Sequence, residues 1–408
     1  MNILLANFAK MVNDSGGLAK VTCAFAKEMY ERGHQVTLVY ADDKEGKFFF
    51  DVPAGVQCYN LHHYKDKHII FPLRYKIKRE VLRAFDQRVG RAVNNDFTEK
   101  YLLPNVKDIL ENIKPDVIIC SQPAASKVML SDIQTSIPVI TMSHGDPEDY
   151  FHHYPVKELP SLGLSAACQV LMPSFVKGIT KRFPEEKVVV IGNVVPQHEK
   201  AVDLSKKKTI YKIISIGRLV RNHKRPHLLL LAFAKLAKDF PQWNVELWGA
   251  EDRAKYTKEL KKIISDNNLE KRVFLKGTTN NVTAVLQQGD IFVFPSAYEG
   301  FGLTLAEAMS VGLPGIGYKN CVAVNEIIKD GENGFLAEDG VEALAEKMQQ
   351  LMRDQELRQR MGKAAHESMK QYAAENIWGQ WEELIEEVVK KIESWKRHEY
   401  NIGDVLKK

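Results

Sequence analysis

The 408-residue chain is long enough for two domains with separate cores, and its 45% hydrophobic and 27% charged residues fit an ordinary globular enzyme. Lys+Arg 57 against Asp+Glu 52 leaves a formal charge of +5, too small an excess to argue for nucleic acid as a partner. Cys23, Cys58, Cys120, Cys168 and Cys321 are scattered, without metal-ligand spacing, and read as small buried hydrophobes in a reduced cytosol.

The chain opens on MNILLANFAK, a strand pattern with no charged leader or cleavage site. The apolar run LLLLAFA at 228–234 is far short of the ~20 residues a membrane span needs. The expected location is the cytoplasm, either free or peripheral on the inner face of the cell membrane. Strands are expected at NILLANF, QVTLVYA, DVIICSQ, PVITMSH, QVLMPS and KVVVIGN, with helices at roughly 17–32, 74–113, 124–134 and 174–183. The polar, proline-bearing stretch 195–209 reads as a linker that packs nothing.

The pattern then restarts with KIISIGRL, NVELWGA, VFLKG, IFVFPS and PGIGY, and the chain ends in helices. This alternation predicts an α/β protein of two Rossmann-like domains, parallel sheets facing a central cleft. The expected boundaries are 1–197, 198–375 and a C-terminal helix over 376–408 crossing back to the first domain.

In SAYEGFGLTLAEAM, residues 296–309, Glu299 precedes a Gly-Phe-Gly turn and Glu307 lies in the helix that follows. The backbone N–H groups around Gly302, Leu303 and Thr304 are those of a helix start, suited to phosphate. One carboxylate could accept from sugar hydroxyls and the other from a ribose diol, with the diphosphate between. In SIGRLVRNHKRP, residues 215–226, a strand ends at Gly217, and Arg218 and Lys224 follow in the loop before the next helix. Two fixed cations suit a departing nucleoside diphosphate, whose negative charge grows as the glycosidic bond breaks. Arg221 and Arg225 make the same loop more basic.

PSAYEGFGLTLAEAMSVGLP closely resembles the Glu-x7-Glu segment of the family 4 retaining glycosyltransferases, and the likeness runs over nearly the whole chain, most closely from about 212 to 340. The resemblance implies the GT-B fold and a nucleotide-sugar donor, a UDP-sugar before a GDP-sugar. It places Glu299 by the transferred sugar, Glu307 on the ribose, and the backbone of Gly300, Phe301, Gly302, Leu303 and Thr304 on sugar and phosphate. Arg218 and Lys224 match its cation pair. Its donor-phosphate loop falls on Gly16 and Gly17, after the first strand and before a helix. Its histidine touching the donor sugar falls on His144, at the end of a first-domain strand.

The implied reaction retains configuration and uses no metal or other cofactor. It moves a hexose or N-acetylhexosamine to a saccharide or lipid-linked acceptor in surface-glycan assembly. Two departures touch the donor site: the family's Gly-Gly-x-x-Glu turn is KNCVAVNEII, keeping Glu326 without the glycines, and its NGV-acid segment is GNVVPQ. A catalytically silent nucleotide-sugar-binding partner is the alternative, opposed by the intact Glu299, Glu307, Arg218 and Lys224. A nicotinamide-dependent oxidoreductase is opposed by the missing G-x-G-x-x-G fingerprint.

Residues 71–93 carry seven Lys/Arg against two acidic residues, with Leu73, Ile77, Val81, Leu82, Phe85 and Val89 at helical spacing. This basic amphipathic helix suits an anionic membrane surface or lipid-diphosphate acceptor, and equally a helix covering the sheet with a solvated basic face.

Overall fold

Unbroken apolar runs such as VIIC and IFVF are the signature of strands buried on both faces, and parallel sheets covered by helices bury both faces. The structure, a computed structural model, describes the backbone of residues 1–405 and the side chains of residues 1–391. It divides into two compact units, Met1–Gly192 with the chain from Trp378 onward, and Asn193–Ile377.

The first unit holds strands β1 Asn2–Asn7, β2 Gln35–Tyr40, β3 Gln57–Asn60, β4 His63–Tyr64, β5 Lys67–His68, β6 Val117–Cys120, β7 Val139–Ser143, β8 Ala167–Val170 and β9 Val188–Val190. They form one sheet in the order β5-β4-β3-β2-β1-β6-β7-β8-β9. All pairings are parallel except β3–β4 and β4–β5. Its helices are α1 Gly17–Glu31, α2 Leu73–Phe85, α3 Gln87–Phe97, α4 Leu103–Ile113, α5 Pro123–Lys127, α6 Pro147–His153 and α7 Val176–Thr180. The antiparallel edge β3–β5 and the helix α6 were not among the expected elements.

The helix expected over 74–113, and with it the single helix expected over 71–93, is broken at Asp86. That residue leaves helical geometry (φ −150°, ψ 122°), and its carboxylate accepts from the Arg88 N–H at 2.6 Å, capping α3. A Cβ on Gly90 would lie 2.8 Å from the Arg83 backbone, so glycine lets α2 and α3 fold closely together.

The second unit holds β10 Tyr211–Ile216, β11 Trp243–Trp248, β12 Val273–Gly277, β13 Ile291–Phe294, β14 Gly315–Tyr318 and β15 Gly334–Ala337, an all-parallel sheet in the order β12-β11-β10-β13-β14-β15. Helices α8 Pro226–Leu236, α9 Ala254–Asp266, α10 Val282–Leu286, α11 Leu303–Ser310, α12 Val322–Ile327, α13 Val341–Arg353 and α14 Gln355–Ser368 connect and cover it. Its core joins Ile213, Val245, Ile291 and Val293 of the sheet to Leu229, Phe233, Leu344 and Met348 of α8 and α13.

The stretch 195–209 is not the unpacked linker expected from its polarity. Val195 and Leu204 are buried, the Val195 N–H donates to the Tyr372 carbonyl (2.9 Å), and the Val202 N–H donates to the Val311 carbonyl (2.8 Å). Two apolar anchors among lysines suffice to fasten it to the second unit.

The last helix, α15 Ala374–Val405, contributes its residues from Trp378 onward to the first unit. There Phe25 meets Trp378 and Trp381 edge-on at 5.5 and 4.9 Å, and Arg32 bridges Glu28 and Glu382.

Candidate active site

In an open parallel sheet a ligand crevice forms where consecutive connections leave in opposite directions, at the carboxyl ends of the strands. In the second unit that point lies between β10 and β13, because β11 and β12 lie on one side of β10 and β13 to β15 on the other. The loops leaving β10 and β13 are those that carry Arg218, Lys224 and Glu299. They line a shallow open depression with Gly217, Arg218, Lys224, Phe294 and Ser296 on its wall.

Three of the four cations of the first loop have separate partners. Lys224 pairs with Glu299, and its ammonium lies 4.9 Å from the centre of the Phe294 ring. Arg225, in left-handed geometry (φ 48°), donates from Nε to the Pro295 carbonyl at 3.0 Å and pairs with Asp339 at 2.9 Å. It therefore ties the two loops together. Arg221 pairs with Glu259. Arg218 is exposed on the wall of the depression; its carbonyl accepts from the Val220 N–H at 2.8 Å, but its guanidinium has no hydrogen bond or ion pair among the described residues.

The Gly217 N–H is engaged by the Trp248 carbonyl at 2.9 Å, so this glycine offers a ligand no free donor. It offers close approach, as does its neighbour. A Cβ on Gly249, at φ 148°, would fall 2.0 Å from the Gly217 oxygen, so only glycine fits where the ends of β10 and β11 meet.

Across the switch point, α11 begins at Leu303 with Gly302 as its cap residue, in left-handed geometry (φ 85°) and with no side-chain cap. Its first-turn N–H groups are those expected for phosphate. The Thr304 hydroxyl donates to the Ile216 carbonyl at 3.1 Å, fastening the helix start to the end of β10, so the donor that Thr304 keeps for a phosphate is its backbone N–H. Phe301 is buried edge-on against Tyr372 at 5.1 Å, so it too can offer only backbone. Gly300 is half-buried. Glu307 is 6% exposed among the apolar residues Leu305, Ala306, Ala308 and Met309, unlike a solvated helix glutamate.

Two groups escaped the sequence reading. His223 stacks on Tyr298 at 4.8 Å, its Nε2 lies 2.7 Å from the Tyr298 carbonyl oxygen and 3.8 Å from the Glu299 carboxylate. Burial holds this ring below its ordinary pKa against the opposing pull of Glu299. Its place directly before Lys224 was the available signal. Ser296 is fully buried, and its Oγ has no hydrogen-bond partner among the described residues. Its place at the end of a buried strand could have marked it.

In the first unit the corresponding switch point lies between β1 and β6. The loop after β1 is braced by Asp42, which accepts from the Met11 and Val12 N–H groups at 2.9 Å each. Gly16 caps α1 without a side-chain cap and donates its own N–H to Asp14 at 2.8 Å, while Gly17 is exposed. His144 follows β7, its N–H donating to the Tyr150 hydroxyl at 3.1 Å. Its Nε2 is shut off from solvent without a partner, and burial pushes the ring down to about 4, so it is neutral at pH 7. Asp146 caps α6, accepting from the Glu148 N–H at 2.9 Å. Among the described residues no group of three or more His, Cys, Asp or Glu is placed to hold a metal ion.

Residues 15–199 match the family described as Glycosyltransferase Family 4, and residues 196–368 the family described as Glycosyl transferases group 1. The N-acetyl-alpha-D-glucosaminyl L-malate synthase of Bacillus anthracis is 32% identical over 196 residues, covering 48% of this chain and 49% of that protein. The poly(glycerol-phosphate) alpha-glucosyltransferase of Bacillus subtilis is 30% identical over 181 residues, 44% of this chain and 26% of that protein. The chain thus spans about a quarter to a half of the length of these relatives. Among solved structures, S. aureus TarM in complex with fondaparinux, alpha-GlcNAc-glycerol and UDP is similar with TM-score 0.72 at 18% identity, over 94% of this chain and 100% of that one. The shared architecture is the GT-B fold.

Proposed function

From the family matches over residues 15–199 and 196–368 and the GT-B fold, we propose that the chain is a family 4 glycosyltransferase that transfers a hexose or N-acetylhexosamine from a nucleotide sugar. The donor is a UDP-sugar and the acceptor a saccharide or lipid-linked glycan in surface-glycan assembly. The observation that carries the reading is an unpaired cation, Arg218, beside the Lys224–Glu299 pair at the switch point of a parallel sheet.

In the proposed reaction the bond between the sugar's anomeric carbon and the diphosphate breaks. The acceptor hydroxyl attacks the same face, and its proton passes to the leaving diphosphate oxygen. Arg218, Lys224 and the first turn of α11 bind the charge that grows on that diphosphate. Lys224 exchanges part of its hold on Glu299 for phosphate, which frees the Glu299 carboxylate to accept from sugar hydroxyls. Glu307 accepts from the ribose diol. Side-chain cations fill the electrophilic role, so no divalent metal is required.

Incubating the purified protein with a panel of UDP- and GDP-sugars tests the reading. A true donor stabilises the fold, by about 2.7 kcal/mol at 100-fold its Kd, and is slowly hydrolysed or transferred. Stabilisation without turnover of any donor would instead identify a silent binding subunit.

A further inference from the structure

The helix α2 is turned the opposite way from a helix that covers a core. Its half-buried positions are Tyr75, Arg79 and Leu82, and the Arg79 guanidinium lies 5.2 Å from the centre of the Phe71 ring. Leu73, Ile77, Val81 and Phe85, spaced by four, are 71%, 57%, 53% and 87% exposed. Ile70 and Val89 extend the exposed apolar set at either end. Such a stripe, about 20 Å long at 1.5 Å per residue, has no covering element among the described residues. A helix that only shielded the sheet would turn its apolar stripe inward; here Leu73, Ile77, Val81 and Phe85 lie outward.

Cations accompany the stripe. Arg74, Lys76, Lys78 and Arg83 are exposed, and residues 71–93 hold seven Lys/Arg against Glu80 and Asp86. In a symmetric contact between two copies, this basic segment would face itself, and its like charges would repel. An anionic lipid surface reverses that sign: apolar side chains enter the acyl boundary while lysines and arginines meet headgroup phosphates. We propose that α2 docks the first unit onto an anionic membrane surface, lying in the plane of the interface. No helix among the described residues is long and apolar enough to cross a membrane, so this contact is peripheral. The proposal stands apart from the donor chemistry and does not depend on it.

Flotation of the full chain with vesicles of phosphatidylcholine alone, or mixed with phosphatidylglycerol, tests it. The wild type should float with the mixed vesicles at low salt, stay behind with the neutral ones, and be released by high salt. Combined Ile77→Ser, Val81→Ser and Phe85→Ser should weaken binding by about tenfold or more, as each apolar side chain inserted contributes. Combined Arg74→Gln, Lys76→Gln, Lys78→Gln and Arg83→Gln should do the same; Arg79 is left in place because it packs on Phe71. Thermal melting close to wild type establishes that both variants remain folded. Equal flotation of wild type and the serine variant, or no preference for anionic vesicles, overturns the proposal. So does a sedimenting dimer that the serine variant dissolves, which would make a second copy the occupant.

Discussion

Lys224 and Glu299, 75 positions apart in sequence, form an ion pair that joins the loop leaving β10 to the loop leaving β13. The Glu299 side chain is only 9% exposed, so removing its cation leaves a carboxylate poorly solvated and without its ammonium. Lys224→Ala should therefore destabilise the second unit by about 1–3 kcal/mol. Adding Glu299→Gln should recover part of that loss. Urea unfolding of both single variants and the double measures the coupling. Strictly additive effects would remove the pair from the account of how these loops are held.

Glu307 makes a separate prediction, because it is buried on α11 beyond the helix start. If its carboxylate accepts from the ribose diol, Glu307→Ala forfeits charge-assisted hydrogen bonds of roughly 1.5–3 kcal/mol. UDP affinity should fall about ten- to a hundredfold, read by calorimetry on a variant that still melts cooperatively. Unchanged affinity for both UDP and GDP would sink the ribose assignment.

The strands that position the site were legible because both their faces are buried: VIIC and IFVF leave no other reading once turns flank them. The edge β3–β5 was not, because QCYN, HY and KH carry no apolar run. The break at Asp86 was hidden by periodicity, since Phe85 and Val89 stay in phase across it while the aspartate stops one helix and caps the next. At the candidate site, the flanking strands and glycines and the family resemblance pointed to Arg218, Lys224, Glu299 and Glu307, and the structure puts Arg218, Lys224 and Glu299 on the two loops at one switch point. Sequence could not divide the labour within a basic loop. Only the partners Glu259, Asp339 and Glu299 separate Arg221, Arg225 and Lys224 from the unengaged Arg218.

Glu158 predicts a pH effect on stability. It is 4% exposed, accepts from the Asn95 amide at 2.7 Å, and burial pushes its carboxyl up from 4.5 to about 7. An acid whose folded pKa is raised contributes stability that is fully present below about 4.5 and is lost as pH rises through about 7. Wild type should lose up to about 1.4 kcal/mol per pH unit from this group across that window. Glu158→Gln should lack this component. Glu186, pushed up to about 8 by burial, adds a slope of the same sign, so the difference between wild type and variant isolates Glu158. Parallel stability–pH curves would contradict the assignment.

The central claim is that fixed side-chain cations stabilise a departing nucleoside diphosphate, and steady-state kinetics of Arg218→Ala test it most directly. Turnover and donor KM should be measured beside wild type, on the donor found by screening, with chelator present throughout. Because Arg218 acts more on the developing charge than on the bound donor, kcat should fall by about 10²–10³, or about 2.7–4 kcal/mol, with a smaller rise in KM. Wild-type turnover should be indifferent to the chelator. Near-normal kcat in the variant would contradict the claim, as would wild-type activity that chelator abolishes and Mg²⁺ or Mn²⁺ restores.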